Sequence, residues 1–193
     1  MMKKTLLILA AALSGVLAAG AQTGREWQDP AVNEINRLPM RSSFAAGERL
    51  SLDGVWKFHW VRNASERPSG IGAVDYDDAA WGSMPVPGMW ELNGYGDPVY
   101  VNIGYAWRGN FRNDPPYVPD AENHVGSYRR TFDIPASWGG KDIFLSIGSA
   151  TSNVYVWVNG RFVGYSEDSK LAAQFDITKF VKPGENLLSL IHI

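Results

Sequence analysis

The stretch Asp97–Trp107, "DPVYVNIGYAW", sets Asn102 among three aromatic rings, Tyr100, Tyr105 and Trp107, with Asp97 and Asn93 just before. Sugars present apolar C–H faces and hydroxyl edges, so their sites combine flat rings with amide or carboxylate hydrogen-bond partners. These residues supply both surfaces. They equally fit a plainer role, in which the rings pack a core and Asn102 satisfies a bend. The residues alone leave both readings open.

Other chemistries find less support. The three histidines, His59, His124 and His192, are far apart and no cysteine exists, so the usual metal-ligand spacings are missing. His59 falls on the polar side of a strand pattern, where a solvated ring is expected. No G-x-S-x-G elbow occurs, and "GYGDPVYVNIG" lacks the lysine and the strand-to-helix context of a phosphate loop. Glycoside cleavage requires two carboxylates across one bond. Asp75, Asp77 and Asp78 cluster in a polar loop as surface acids, and Glu167 and Asp168 stand where they would fix a turn. No acid/base pair can be nominated, so no catalytic residue is assigned.

The elements that must position Asn102 read as strands. In "SLDGVWKFHWV", Trp56, Phe58 and Trp60 alternate with Lys57 and His59, the period-two pattern of a half-buried sheet. "GSYRRTFDIP" sets Tyr128, Arg130, Phe132 and Ile134 against Arg129, Thr131 and Asp133, and "KDIFLSIG" aligns Ile143, Leu145 and Ile147. "NVYVWVNGRFVGY" predicts a hairpin turning at Asn159-Gly160, since both residues accept the positive φ of a type I′ turn. "DYDDAAW" could form a short helical turn, and "FDITKF" and "KPGEN" lead to a last strand, "NLLSLIHI". Short strands, frequent turn signals and no long amphipathic helix point to an all-β sandwich or jelly roll.

Composition agrees. The 193 residues include 20 glycines, 11 prolines and 8 tryptophans, at a net charge of −2 without a basic cluster, which argues against a nucleic-acid partner. Residues 1–21 show lysines at 3 and 4, an apolar run and Ala19-Gly20-Ala21, the pattern of a signal peptide cleaved before Gln22, leaving no membrane span. An exported chain without disulfides fits the periplasm or cell surface of a Gram-negative bacterium. Residues 22–50 lack sustained periodicity and read as an extended leader, and residues 51–193 as the domain. The final apolar run stops inside a strand pattern, so the chain is expected to be truncated.

Six stretches together resemble the N-terminal domain of the β-galactosidases of glycoside hydrolase family 2. They are "EWQDPAVNEINRLP", "SLDGVWKFHW", "VPGMWELNGYGDPVYVNIGY", "NDPPYVPDAENHVGSYRRTFDIP", "VYVWVNGRFVGYSEDSKLAAQFDIT" and "KPGENLL", in the family's order. The resemblance implies a jelly-roll, galactose-binding-domain-like fold that opens a longer enzyme with immunoglobulin-like domains and a TIM barrel. That barrel carries both catalytic glutamates of a retaining mechanism, so this piece alone is expected to be inactive.

The resemblance also implies that Asn102 contacts the galactosyl group of a β-galactoside, which tips the opening question toward a substrate contact. For Glu26, Asp29 and Glu167 it implies a divalent-ion site suited to Mg²⁺ or Ca²⁺. The closing "SLIHI" departs from the family pattern, and a further galactose-lining aspartate of the family would fall beyond it. The alternatives are a stand-alone carbohydrate-binding module and a purely structural domain. The first predicts measurable galactoside binding by the chain alone, the second none.

Overall fold

The computed structural model describes residues 23–40, 47–98, 114 and 116–193. Among these described residues nine strands form two antiparallel sheets: β1 (Glu34–Ile35), β2 (Gly54–Val61), β3 (Gly82–Val86), β4 (Val125–Ile134), β5 (Phe144–Ile147), β6 (Asn153–Val158), β7 (Arg161–Glu167), β8 (Ala173–Asp176) and β9 (Gly184–His192). The large sheet runs β1-β7-β6-β9-β4-β2-β3, and β5 and β8 make a two-stranded sheet. Helical structure among the described residues is confined to single 3₁₀ turns, as at Glu26–Gln28. The expected all-β sandwich is thus what the chain forms.

Period-two alternation places Trp56, Phe58, Tyr128, Phe132, Val154, Val156 and Leu188 on the inner face of the large sheet. There they pack against Leu145 of β5 and Ala173 and Phe175 of β8. The hairpin forms as expected, with Val158 opposite Arg161 and φ of 50° and 83° at Asn159 and Gly160. β9, the last predicted strand, lies between β6 and β4 in the middle of the sheet. "DYDDAAW" does not become helical. It is held by turns, with Trp81 N–H donating to Asp78 O at 3.1 Å.

The outer face is also buried. Trp27 from the leader and Ala64 and Ile71 from the β2–β3 connection pack on Val125, Tyr155, Tyr165 and Ile191. The leader then pairs as β1 with β7, and Leu38 N–H donates to Gln174 O of the small sheet at 2.8 Å. At this crossing Gly164 is required, because a Cβ there would stand 2.3 Å from Ile35 O and 2.8 Å from Phe175 Cε1. The leader is part of the packed body.

One sequence expectation needs correction on this face. Arg129, which the alternation sets with Thr131 and Asp133, is only 3% exposed. Asp78, read as a surface acid, is half-buried and pairs with it at 2.9 Å. The segment packed over β4 turns that polar side of the strand into an interior, and a buried guanidinium needs a counter-charge and acceptors. It finds them in Asp78 and in the carbonyls of Ile71 and Ala73, at 2.7 and 3.0 Å.

Candidate functional site

Asn102, with Tyr100, Tyr105 and Trp107, lies outside the described residues. What the structure describes is the chain on either side of that segment. Arg62, just past β2, ion-pairs with Asp97 on the entering side at 3.6 Å and with Glu122 on the leaving side at 2.9 Å. The hydrogen bond and charge of Glu122, with the charge of Asp97, hold the guanidinium still further above its ordinary pKa. Arg62 also stands over the Trp60 ring at 5.9 Å, and Trp60 meets His124 edge-on at 5.0 Å. Asn93 donates to Met89 O at 2.7 Å, closing the preceding turn. One arginine therefore bridges the two ends of the segment that carries the aromatic and amide groups.

Two of the three carboxylates nominated for a cation, Glu26 and Glu167, accept from a pair of tyrosines. Glu26, 3% exposed, accepts from Thr23 N–H at 2.5 Å and from the Tyr155 hydroxyl at 2.8 Å. Burial works to raise its pKa, but hydrogen bonds from its own backbone, Tyr155 and Thr23 outweigh that and hold it below the usual carboxylate value. Glu167 accepts from Tyr165 at 2.5 Å, and the Tyr155 and Tyr165 rings lie 4.6 Å apart. Burial first, and the adjacent carboxylate second, push both phenols up, so they remain neutral donors to anionic acceptors. Asp29 is exposed and accepts from Ala31 N–H at 3.0 Å. Among the described residues no group of three or more acidic, histidine or cysteine side chains is gathered to hold a metal.

A cleft of about 1110 Å³ opens between the sheets, walled by residues that include Trp56, Trp90, Tyr128, Leu145, Leu190 and His192. Three of its polar side chains make contacts within the fold. Trp90 Nε1–H donates to the Tyr128 hydroxyl at 2.5 Å, and burial pushes that phenol up to about 12. His192 Nε2 contacts Thr151 O, and burial holds its imidazole below the ordinary 6.5. His59 is not a simple solvated ring either; it is half-buried and stacks on Trp81 at 5.5 Å.

Sequence reasoning missed a second buried polar group, the pair Asn159 and Asn186. Asn159 Nδ2 donates to Asn186 Oδ1 at 2.8 Å and to Phe180 O at 2.9 Å, while its Oδ1 accepts from Leu187 N–H at 2.9 Å. Asn186, 2% exposed, closes the "KPGEN" turn through Lys182 and Gly184. Turn asparagines are legible from sequence. Their convergence from two turns is not.

Comparison with known proteins sets this arrangement in context. The family model "Glycosyl hydrolases family 2, sugar binding domain" matches residues 50–193. A β-galactosidase of Priestia megaterium is 41% identical over 140 residues, covering 72% of this chain and 14% of that protein. One of Halalkalibacterium halodurans is 40% identical over 174 residues, covering 83% of this chain and 17% of its own length. The chain thus spans less than a third of the length of the relatives compared, from 14% to 31%. Among solved structures, a β-glucuronidase of Ruminococcus gnavus in complex with D-glucuronic acid superposes with a TM-score of 0.52 at 26% identity. That match covers 74% of this chain and 21% of that one.

Proposed function

The chain belongs to the sugar-binding domain family of the family 2 glycosyl hydrolases, and from that premise we propose that it is the N-terminal, substrate-positioning part of an exported β-galactosidase. In this reading the domain is a jelly roll, and the whole enzyme removes terminal β-D-galactose from oligosaccharides. Asn102 hydrogen-bonds the galactosyl group while a TIM barrel, separated by immunoglobulin-like domains, supplies the acid/base and nucleophilic glutamates. Positioning without an acid and a nucleophile does not cleave a glycosidic bond, so the 193-residue chain turns nothing over.

The observation that carries this reading is the 40% identity to β-galactosidases over most of this chain, joined to the small share of their length that it spans. The Arg62 bridge supports it by giving the Asn102 segment two anchored ends. The test is Asn102→Ala in an enzyme carrying this domain. The change should lower kcat/KM for a galactoside by about 10- to 100-fold, the size expected for a lost substrate hydrogen bond. Unchanged kinetics would reject the contact.

Binding of Mg²⁺ or Ca²⁺ at Glu26, Asp29 and Glu167 is a separate part of the proposal. It requires three carboxylates that now accept from donors of the chain itself to turn toward one ion. Addition of either ion should then raise Tm, and an unmoved Tm removes the site.

A further inference from the structure

We propose that Asn93-Gly94 is a site of spontaneous covalent modification in the folded protein, where the asparagine is converted to aspartate and isoaspartate. The dipeptide Asn-Gly occurs twice in the chain, here and at Asn159-Gly160. The second copy is held back from the same reaction by its packing. The reaction is intramolecular. The Gly94 backbone nitrogen gives up its proton to solvent and attacks the Asn93 side-chain carbonyl carbon, Cγ. The new C–N bond closes a five-membered succinimide as the Cγ–Nδ2 bond breaks, and Nδ2 leaves as ammonia with a proton from water. Water then adds to either ring carbonyl. Breaking the bond from Gly94 N to Cγ gives aspartate; breaking the bond from Gly94 N to the Asn93 backbone carbonyl gives isoaspartate. Glycine favours the attack, since it has no Cβ to shield its nitrogen and the widest choice of backbone angles.

The two copies differ in what holds them. Asn93 and Gly94 are both exposed. Asn93 ends a single 3₁₀ turn, Gly94 follows at φ 86°, and a Cβ at Gly94 would meet nothing within 4 Å. The Asn93 amide donates to Met89 O at 2.7 Å, an exposed hydrogen bond that local opening of one turn releases. Asn159 is tied on every side. Its Nδ2 donates to Phe180 O and Asn186 Oδ1, its Oδ1 accepts from Leu187 N–H, and its own N–H donates to Leu187 O at 2.9 Å. The Cβ position of Gly160 lies 3.5 Å from Val74 Cγ2, under the β2–β3 connection. Turning Asn159 Cγ onto the Gly160 nitrogen means breaking these bonds at strands in the body of the sheet, where opening approaches global unfolding.

Modification at Asn93 has a structural consequence. It removes the donor to Met89 O and sets a new carboxylate two residues from Glu91. The turn it weakens positions Tyr95, which meets Phe58 edge-on at 4.6 Å and donates to Ser83 O at 3.2 Å. Asp97, one of the two partners of Arg62, follows directly. The change therefore falls on the approach to the Asn102 segment.

The test incubates the 193-residue chain at 37 °C in neutral buffer, with and without urea, and maps its peptides by mass spectrometry with fragmentation to place each product. Isoaspartate is scored separately by methyl transfer from an isoaspartyl methyltransferase. In buffer, conversion at Asn93 should outpace that at Asn159 by about tenfold or more. In urea the two sites should react at similar rates, because the packing that separates them is gone. An unmodified Asn93 in the folded chain, or equal rates at both sites in buffer, overturns the proposal. A difference that persists in urea overturns the assignment to packing. Asn93→Gln, at an exposed position, should abolish most of the isoaspartate of the folded chain, and an unchanged signal would place the reaction elsewhere. The readout is a mass change that involves neither sugar nor hydrolysis, so its failure leaves the galactosidase reading untouched.

Discussion

The two faces of the seven-stranded sheet are closed in opposite ways. The outer face is sealed by irregular chain, the leader and the β2–β3 connection. That cover brings polar groups inside, so Arg129 and Glu26 must find partners there. Among the described residues the inner face is covered by the two short strands β5 and β8 with flanking irregular chain that includes Trp90, Trp138 and Ile177, and a large cleft opens beside them. The cover of the outer face brings charges into the interior. That of the inner face is almost wholly apolar.

The largest effect that would break this contrast is on the outer face. Arg129→Met leaves the carbonyls of Ile71 and Ala73 without their donor and Asp78 without its buried counter-charge. It should cost about 3–5 kcal/mol, the range for breaking a buried ion pair from one side. Chemical denaturation measures it. A loss no larger than that of an ordinary surface substitution would mean that the outer face is not a sealed interior.

Next in size is a pair of adjacent residues that report on opposite faces of one strand. Ile191 is 7% exposed and packs in the outer cluster, whereas Leu190 is half-buried on the cleft wall. Ile191→Ala should cost about 2–4 kcal/mol, because it opens a hole in closed packing. Leu190→Ala should cost about 1 kcal/mol or less, since part of that side chain is already in water. Equal losses would erase the distinction between the faces.

How much of this was legible in the sequence differs between the faces for the same reason. Trp56, Phe58, Tyr128 and Leu145 announced the inner face by alternation, and Asn159-Gly160 announced the hairpin, because strand period and turn stereochemistry are local. The outer face was not legible at Arg129, whose burial depends on Ile71, Ala73 and Asp78 lying more than fifty residues away. Its charge reads as solvent-facing until the covering segment is known. Glu26 was singled out through family resemblance as a metal ligand, while its contact with Tyr155 spans 129 positions and no pattern foretells it. Asn102 lies outside the described residues. Only the pairing of Arg62 with Asp97 and Glu122, on either side of that segment in sequence, adds to the sequence reading.

The smallest effect is one of pH, and it sharpens the contrast further. Burial keeps the His192 pKa on the inner side below its ordinary 6.5. The unfolded chain therefore takes up this proton first, and stability is lost as pH falls below about 6.5 toward the folded value. Glu26 on the outer side is also depressed, from 4.5, so its contribution persists until pH falls through that lower value. Thermal melts should show a decline from pH 7 to 5.5 that His192→Gln flattens. A second decline below pH 4.5 should be reduced by Glu26→Gln. A histidine variant that leaves the first decline intact would assign it elsewhere.

In the function proposed above, this domain positions a sugar for chemistry performed elsewhere and does not bind it strongly alone. Titration of the 193-residue chain with galactose, followed by amide chemical shifts, tests that most directly. The shifts should fail to saturate at millimolar sugar if, as proposed, the rest of the binding site is in the remainder of a longer enzyme. Saturable binding with a micromolar Kd would contradict it and make the chain a carbohydrate-binding module in its own right.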